Sequence, residues 1–348
     1  MGRVLLAMSG GVDSSVAATL LLEQGLEVVG VTMRLWGGPS DTGCCAVSDV
    51  ADARRVADRL GIEHHVFNFA DEFETHVVGP YVADHAAGRT PNPCIECNRH
   101  LKFDRLVRRA DVLGFDRIAT GHHARVVDTA AGPRLARGAD PAKDQSYVLH
   151  VLEADVLARL DLPVGAMTKA DVRARAAALG LATAEKPESQ DVCFVTDEHG
   201  RGAFLGERIP LRPAVVVDTD GAEVGSVTAV ELVTVGQRKG LGLAGGTDPR
   251  YAVDVDPDAG RVTVGGAADL LVDVTPLESW RWVGDPPAGE VDVQCSAHGA
   301  VAAATVTADA VAWREPHRRV APGQSIVAYL HGPGGVDVVV GGGTAARG

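Results

Sequence analysis

Aromatic residues are scarce in this chain, at 4% of 348 residues. Interiors without them must be packed by Ala, Val and Leu, and 41 glycines point to many tight turns. No apolar run reaches the roughly 20 residues that a membrane-spanning helix needs. The first eight residues are apolar but run straight into a glycine motif, so they read as a buried strand and not as a signal peptide. With no membrane or targeting segment, the expected location is cytoplasmic. Six cysteines (Cys44, Cys45, Cys94, Cys97, Cys193, Cys295) would stay reduced there, available for metal binding, redox chemistry, nucleophilic attack or simple packing. Positive charge is also in deficit. Lys and Arg total 33 against 46 Asp and Glu, a net charge of −13. That balance counts against nucleic acid as a partner, since affinity there comes mainly from neutralised phosphates. Binding is local, however, and Arg99, Lys102, Arg105, Arg108 and Arg109 crowd one stretch with only Asp104 among them. Lys102, Arg105 and Arg109 are expected to share a helix face. A solvated surface and a binding patch both fit that cluster.

A hydrophobic content of 46% excludes disorder, and the length suits two or three domains. The first half alternates strand and helix patterns. Strands are expected at 3–8, 27–33, 63–69 and 117–120. Helices are expected at 13–24, 48–60, about 70–87 and, as a basic helix, 99–113, with a Pro-rich loop over 88–98. Helical character is then expected to continue to about 180, with Thr168 and Asp171 as a capping pair. Such alternation implies a parallel sheet with helices on both faces, and ligands beyond the C-terminal strand ends. After about residue 200, Val-rich alternating segments separated by Gly, Asp and Pro imply β structure. The expected division is 1–202 for an α/β domain, 203–273 for a small β-rich domain and 274–348 for a C-terminal β-barrel.

Ser9-Gly10-Gly11-Val12-Asp13-Ser14-Ser15 stands between the first strand and the first helix. Its glycines permit a turn that brings backbone N–H groups close to a phosphate, beside a helix N-terminus. It has no Gly-Lys-Ser/Thr, so it is not a Walker A loop. It resembles the SGGxDS form of the PP-loop pyrophosphatases, which hold the pyrophosphate end of ATP and adenylate a substrate oxygen. Asp13 could hold Mg²⁺, position the motif, or cap the helix.

Further motifs follow in order. They are Gly88-Arg89-Thr90-Pro91-Asn92-Pro93-Cys94-Ile95-Glu96-Cys97-Asn98, Thr120-Gly121-His122-His123-Ala124-Arg125, Lys143-Asp144-Gln145-Ser146-Tyr147, Lys186-Pro187-Glu188-Ser189-Gln190-Asp191-Val192-Cys193-Phe194 and Thr234-Val235-Gly236-Gln237-Arg238-Lys239-Gly240-Leu241-Gly242. With these in sequence, nearly the whole chain resembles the bacterial tRNA-specific 2-thiouridylases, the MnmA family. The resemblance implies a sulfurtransferase with an N-terminal PP-loop (adenine nucleotide alpha hydrolase-like) domain. Its implied reaction adenylates O2 of the wobble uridine with Mg²⁺ and ATP, then inserts sulfur from a cysteine persulfide. By motif position Cys193 would carry the persulfide and Cys97 would resolve it through a transient disulfide. Ala7, Met8, Ser9, Gly10, Gly11, Val12, Asp13, Ser14, Met33 and Gly121 would line ATP. Asn92, Pro93 and Cys94 would meet the target base, and His122, Lys143, Asp144, Gln145, Trp313, Arg314 and Gln324 would contact tRNA. The implied partners are wobble-uridine tRNAs and a persulfide donor such as a cysteine desulfurase or a relay protein.

Two positions depart from the family pattern. Cys94 replaces an aspartate that is a candidate acid or base, and His123 replaces a tyrosine. The first creates Cys94-x-x-Cys97, and with Cys193 three thiolates could ligate an iron–sulfur cluster. A cluster-dependent thiolation and a PP-loop ligase or amidotransferase therefore stand beside the main reading, as does a non-catalytic RNA-binding or metal-storage module, the weakest of these. No role is assigned to Cys44 and Cys45, which follow a loop over 36–43, and Cys295 reads as packing.

Overall fold

The structure is a computed structural model that describes residues 2–35, 47–187, 192–195, 200–244 and 248–348. The 36–43 loop, Cys44, Cys45 and part of the Lys186–Phe194 motif lie outside the described residues. The chain divides into two compact units. One comprises Met1–Val78, Pro93–Thr196 and His331–Val339, and the other Gly79–Asn92, Asp197–Leu330 and Val340–Gly348.

The first unit is built on a parallel sheet. Strand β1 (Arg3–Ala7) leads through helix α1 (Val12–Glu23) to β2 (Glu27–Arg34), and α2 (Val47–Leu60) leads to β3 (His64–Asn68). Strand β4 (Arg117–Thr120) follows, then a hairpin of β5 (Ala124–Thr129) and β6 (Gly132–Arg137), then the short β7 (Leu160–Asp161). The sheet order is β3-β2-β1-β4-β7, with every pairing parallel. Val4, Leu5 and Leu6 of the central strand are fully buried, as a strand covered on both faces requires. Leu6 and Met8 pack with Val16, Ala17 and Leu21 of α1 and Val56 of α2 in the core. Helix Lys169–Ala178 starts with the expected reciprocal cap: Asp171 N donates to Thr168 Oγ1, and Thr168 N donates to Asp171 Oδ2.

Two expectations are corrected. The segment after residue 120 is not continuously helical, because Ala124–Arg137 forms the antiparallel β5–β6 hairpin. Its turn is closed by Thr129, whose hydroxyl donates to Gly132 O at 2.7 Å and accepts from Ala131 N at 3.2 Å. The basic helix begins earlier than expected, at Pro93, and so contains Cys94 and Cys97. It is π-wound over Cys97–Arg105 before continuing as α-helix over Leu106–Leu113. The wider winding breaks the 3.6-residue spacing that would have put Lys102, Arg105 and Arg109 on one face.

In the second unit, β8 (Ala214–Val217), β9 (Glu223–Val227), β10 (Tyr251–Asp256) and β11 (Arg261–Gly265) form a sheet ordered β10-β11-β8-β9. Val216, Val230, Ala252, Val262 and Val264 fill its core. Strands β12 (Leu271–Trp282), β13 (Val291–Gln294), β14 (Ala302–Val306), β15 (Ala310–Arg318), β16 (Ser325–His331) and β17 (Asp337–Ala345) run in the order β12-β15-β14-β13-β16-β17. Antiparallel pairing of β12 with β17 closes them into a six-stranded barrel around Val293, Ala304, Val311 and Ile326. Closure leaves no unpaired edge between these two strands.

His85 is buried at 2% exposure. Burial, with Arg201 adding to it, pushes its imidazole down to about 4 against a bond to the Glu231 backbone. The unfolded chain takes up this proton near pH 6.5, whereas the folded chain refuses it until about pH 4. The unfolded state therefore binds more protons across that window, and stability falls as pH drops through it. Urea unfolding at pH 7, 6 and 5 is expected to show a falling midpoint, with a shallower fall in His85→Phe.

Candidate active site

In a parallel sheet the ligand crevice opens where strand order reverses. Here β2 lies on one side of β1 and β4 on the other, so the loops after β1 and β4 meet at the reversal. Gly10 has φ 72°, and a Cβ there would stand 2.2 Å from the Asp49 backbone oxygen. A Cβ on Gly121 would stand 2.6 Å from the Ser14 backbone nitrogen. The two loops thus touch through backbone, with no room for a side chain at either position. Ser14 Oγ accepts from Ser9 N at 3.2 Å and donates to Gly11 O at 3.2 Å, which shapes the turn. Ser15 donates to Gly11 O at 2.8 Å and accepts from Thr183 at 3.1 Å, so its hydroxyl is engaged internally. Ser9 is exposed, Ala7 and Gly11 are half-buried, and Met8, Val12 and Met33 are buried apolar side chains.

Asp13 does not cap α1. Gly11 occupies the cap position without a side-chain bond. The Asp13 carboxylate is instead held by two cations or donors: Lys169 Nζ lies 2.9 Å from Oδ1 and 2.7 Å from Oδ2, and His123 Nε2 lies 3.0 Å from Oδ1. Burial raises the Asp13 carboxyl, but the bonds and charges of His123 and Lys169 together outweigh it and hold the group below the usual carboxylate range. A second cation fixes the turn from the other side. Lys186 Nζ donates to Gly10 O at 3.0 Å, Asp49 Oδ1 at 2.6 Å and Asp52 Oδ2 at 2.5 Å. Burial lowers this ammonium, and the two carboxylates more than reverse that, leaving it raised.

Cys97 is buried at 7% exposure at the start of the π-wound segment, and Cys94 and Cys193 are half-buried. Asn98, beside Cys97, is buried and donates to Val148 O at 3.1 Å. Phe194, beside Cys193, packs edge-on against Phe73 with centroids 5.6 Å apart. Helix Ala70–Phe73 in turn packs on the Cys97–Arg105 segment. Among the described residues no three His, Cys, Asp or Glu side chains are gathered to hold a metal ion. Cys295, whose thiol burial pushes up to about 12, packs at the barrel core as expected.

The residues expected to contact tRNA divide into two kinds. Asp144 is buried and saturated: it accepts from Arg137 at 3.0 Å, Gly138 N at 2.8 Å, Ser146 N at 3.1 Å and Ser146 Oγ at 2.8 Å. His122 is buried, bonded to Thr120 Oγ1 at 2.7 Å, and driven by burial and then by Lys102 well below its ordinary value. Gln145 Oε1 accepts from His123 N at 2.8 Å. Trp313 lies in the barrel core, donating to Thr275 at 2.9 Å and stacking on His317. Gln324 reaches Thr90 O at 2.5 Å, while Asn92 is half-buried and Pro93 buried. Lys143 is half-buried, and Arg314 is largely exposed and paired with Glu290. Part of the basic stretch is neutralised as well, by Glu96 at Arg99 and Asp104 at Arg108.

Sequence reasoning missed Lys169, Asp49 and Asp52, and it placed Lys186 in a motif without giving it a role. Lys169 lies 156 residues from its partner Asp13, a separation that no local pattern reveals. The available signals were its place just after the Thr168 cap and the position of Lys186 at the head of the Cys193 motif.

Comparison with known proteins identifies the family. The family described as tRNA methyl transferase HUP domain matches residues 2–197, a tRNA methyl transferase PRC-barrel domain matches 202–266, and an aminomethyltransferase beta-barrel domain matches 273–345. The tRNA-specific 2-thiouridylase MnmA of Rhodococcus jostii is 46% identical over 98% of this chain and 97% of its own length. Its counterpart in Mycobacterium avium is 47% identical over 99% of each.

The saturated Asp144 and the half-buried Lys143 predict different outcomes. Asp144→Asn can keep one oxygen for the Gly138 and Ser146 backbone donors but turns an amide NH₂ toward Arg137 and removes the buried charge that pairs with it, so it is expected to cost about 3 kcal/mol of stability, read by urea unfolding. Lys143→Ala, which removes no buried charge, is expected to shift the unfolding midpoint less than Asp144→Asn does.

Proposed function

Because the chain belongs to the tRNA-specific 2-thiouridylase family, we propose that it is an ATP-dependent tRNA sulfurtransferase that makes 2-thiouridine at the wobble position. The observation that carries this reading is the SGGVDSS loop at the strand-order reversal of the same unit that holds Cys97 and Cys193. Matching family descriptions speak of methyl transfer, but a phosphate-gripping loop and a thiol pair support adenylation followed by sulfur transfer. Residues 1–202 would carry this chemistry, 203–273 form the central module, and 274–348 grip the tRNA.

In the first step, uracil O2 attacks the α-phosphorus of Mg-ATP, the N3 proton leaves and pyrophosphate departs. Backbone N–H groups of the Gly10–Gly11 turn and the N-terminus of α1 stabilise the negative charge of the leaving group. Adenylation converts a poor leaving group into a good one. In the second step, the terminal sulfur of the Cys193 persulfide attacks C2 and AMP departs. Cys97 then attacks the Cys193 sulfur, breaking the sulfur–sulfur bond and closing a Cys97–Cys193 disulfide that leaves sulfur on C2. A reductant resets the pair, and a cysteine desulfurase or relay protein reloads Cys193. Both requirements fit a reducing, cytoplasmic setting. Of the expected tRNA contacts, Arg314 is largely exposed and would be the most accessible to nucleic acid.

Nucleoside mass spectrometry of unmodified tRNA after incubation with the protein, Mg-ATP and a persulfide donor tests the reading. 2-Thiouridine is expected, falling about a thousandfold or more in Cys193→Ser and in Cys97→Ser. Undiminished thiolation in both variants would remove the persulfide mechanism. tRNA-dependent pyrophosphate exchange without 2-thiouridine would favour the ligase.

A further inference from the structure

Asp13, His123 and Lys169 come from three separate segments: the start of α1, the link between β4 and β5, and the start of helix Lys169–Ala178. The contact at Gly121 brings the first two together, since the chain after β4 can reach Asp13 only because no side chain separates Gly121 from Ser14. Lys169 is fixed in turn, with its backbone N–H donating to Asp140 Oδ2 at 2.9 Å. His123 is fixed by its backbone, which donates to Gln145 Oε1 and accepts from Gln145 N at 2.9 Å.

An ionised carboxylate only accepts hydrogen bonds, so His123 must donate through Nε2–H. Its ring is 4% exposed, and the other ring nitrogen, Nδ1, is buried without a partner. Leaving a buried polar atom unsatisfied costs free energy, and a residue chosen for packing alone would not carry that cost. The nitrogen that does have a partner is the one on Asp13. Oδ1 takes two bonds and Oδ2 takes one, so Oδ2 keeps an acceptor position while the side chain remains partly open to solvent. A hard divalent cation takes carboxylate oxygen in this way, so Asp13 fits the cation that accompanies a nucleotide.

We propose that His123 and Lys169 form a two-point clamp that orients Asp13 toward the cation of Mg-ATP, making His123 a positioning residue of the nucleotide step. The clamp rests on the sulfurtransferase reading only in that ATP is the nucleotide. It acts before any sulfur moves, so it governs nucleotide affinity and leaves the thiol chemistry alone.

The test is equilibrium binding of Mg-ATP to the full chain without tRNA, beside KM for ATP and kcat for 2-thiouridine. His123→Phe keeps a ring but removes the donor. It is expected to weaken Mg-ATP binding about tenfold, or about 1.4 kcal/mol, and to raise KM while kcat at saturating ATP stays within about twofold. His123→Gln returns an N–H donor and is expected to recover binding to within about threefold. A ¹⁵N spectrum of the histidine rings needs no variant. It should show His123 with a proton on Nε2, and a shift on adding Mg-ATP. Wild-type binding in His123→Phe, a Gln variant as weak as the Phe variant, a loss confined to kcat, or a ring that does not respond to Mg-ATP would each overturn the clamp. Should the Phe variant not fold, the Gln variant and the ring spectrum decide. Wild-type protein that binds Mg-ATP with these signatures yet makes no 2-thiouridine would uphold the clamp and remove the sulfurtransferase reading.

Discussion

The active half of this molecule depends on one backbone contact, the approach of Gly121 to the first turn of α1. A Cβ at 121 would lie 2.6 Å from Ser14 N and 2.8 Å from the Asp13 carbonyl carbon. That approach brings the end of β4 against the nucleotide loop and allows residues from both to meet. Everything polar at the site is arranged around it. His123 reaches Asp13 from the β4 side, Lys169 from a helix more than 150 residues along the chain, and Lys186 holds the Gly10 carbonyl from the opposite flank. The two lysines play similar parts. Each neutralises carboxylates beside a loop whose backbone N–H groups must be left to a phosphate, and each is anchored at the point where its segment begins.

The strongly negative total charge and a nucleic-acid substrate are reconciled by how the charges are used. Many cations here are committed to internal partners: Lys169 to Asp13, Lys186 to Asp49 and Asp52, Arg137 to Asp144, Arg212 to the buried Glu231. A count of Lys and Arg therefore overstates what is available to phosphates. The stretch around the π-wound helix retains exposed arginines, though two of them have acidic neighbours one turn away. A surface of this kind favours recognition by shape and selected contacts over bulk attraction, and phosphate contacts made there would be sensitive to salt.

Local structure was legible in the sequence wherever a local cause set it. Strands β1 to β4 lie within a residue of their expected ends, because apolar runs and flanking glycines punctuate them. The Thr168 cap was likewise readable from two residues three apart. Three features escaped for stated reasons. The β5–β6 hairpin lacks the Asn-Gly or Asp-Gly signature and is rich in Ala and Arg, so its sequence reads as helix until the strands pair. The π winding over Cys97–Arg105 is invisible to a reading that assumes 3.6 residues per turn. The ion pairs at Asp13 and Asp49 join residues far apart in the chain, and only the folded sheet brings them together. Asp144 and Trp313, assigned to tRNA by motif position, are buried and hydrogen-bonded within the fold, which motif position alone does not reveal.

The burial of the described cysteines also ranks them as targets for electrophiles. A thiol-directed inhibitor approaching the folded protein meets Cys94 and Cys193 before Cys97, which has 7% of its surface open. Cys295 scarcely ionises at neutral pH and would remain silent to such a reagent. Cys94, three residues from Cys97 in the same helical stretch, thus offers a thiol handle that is less buried than Cys97. A covalent ligand built on that thiol would require a cysteine at this position in any protein it labels there.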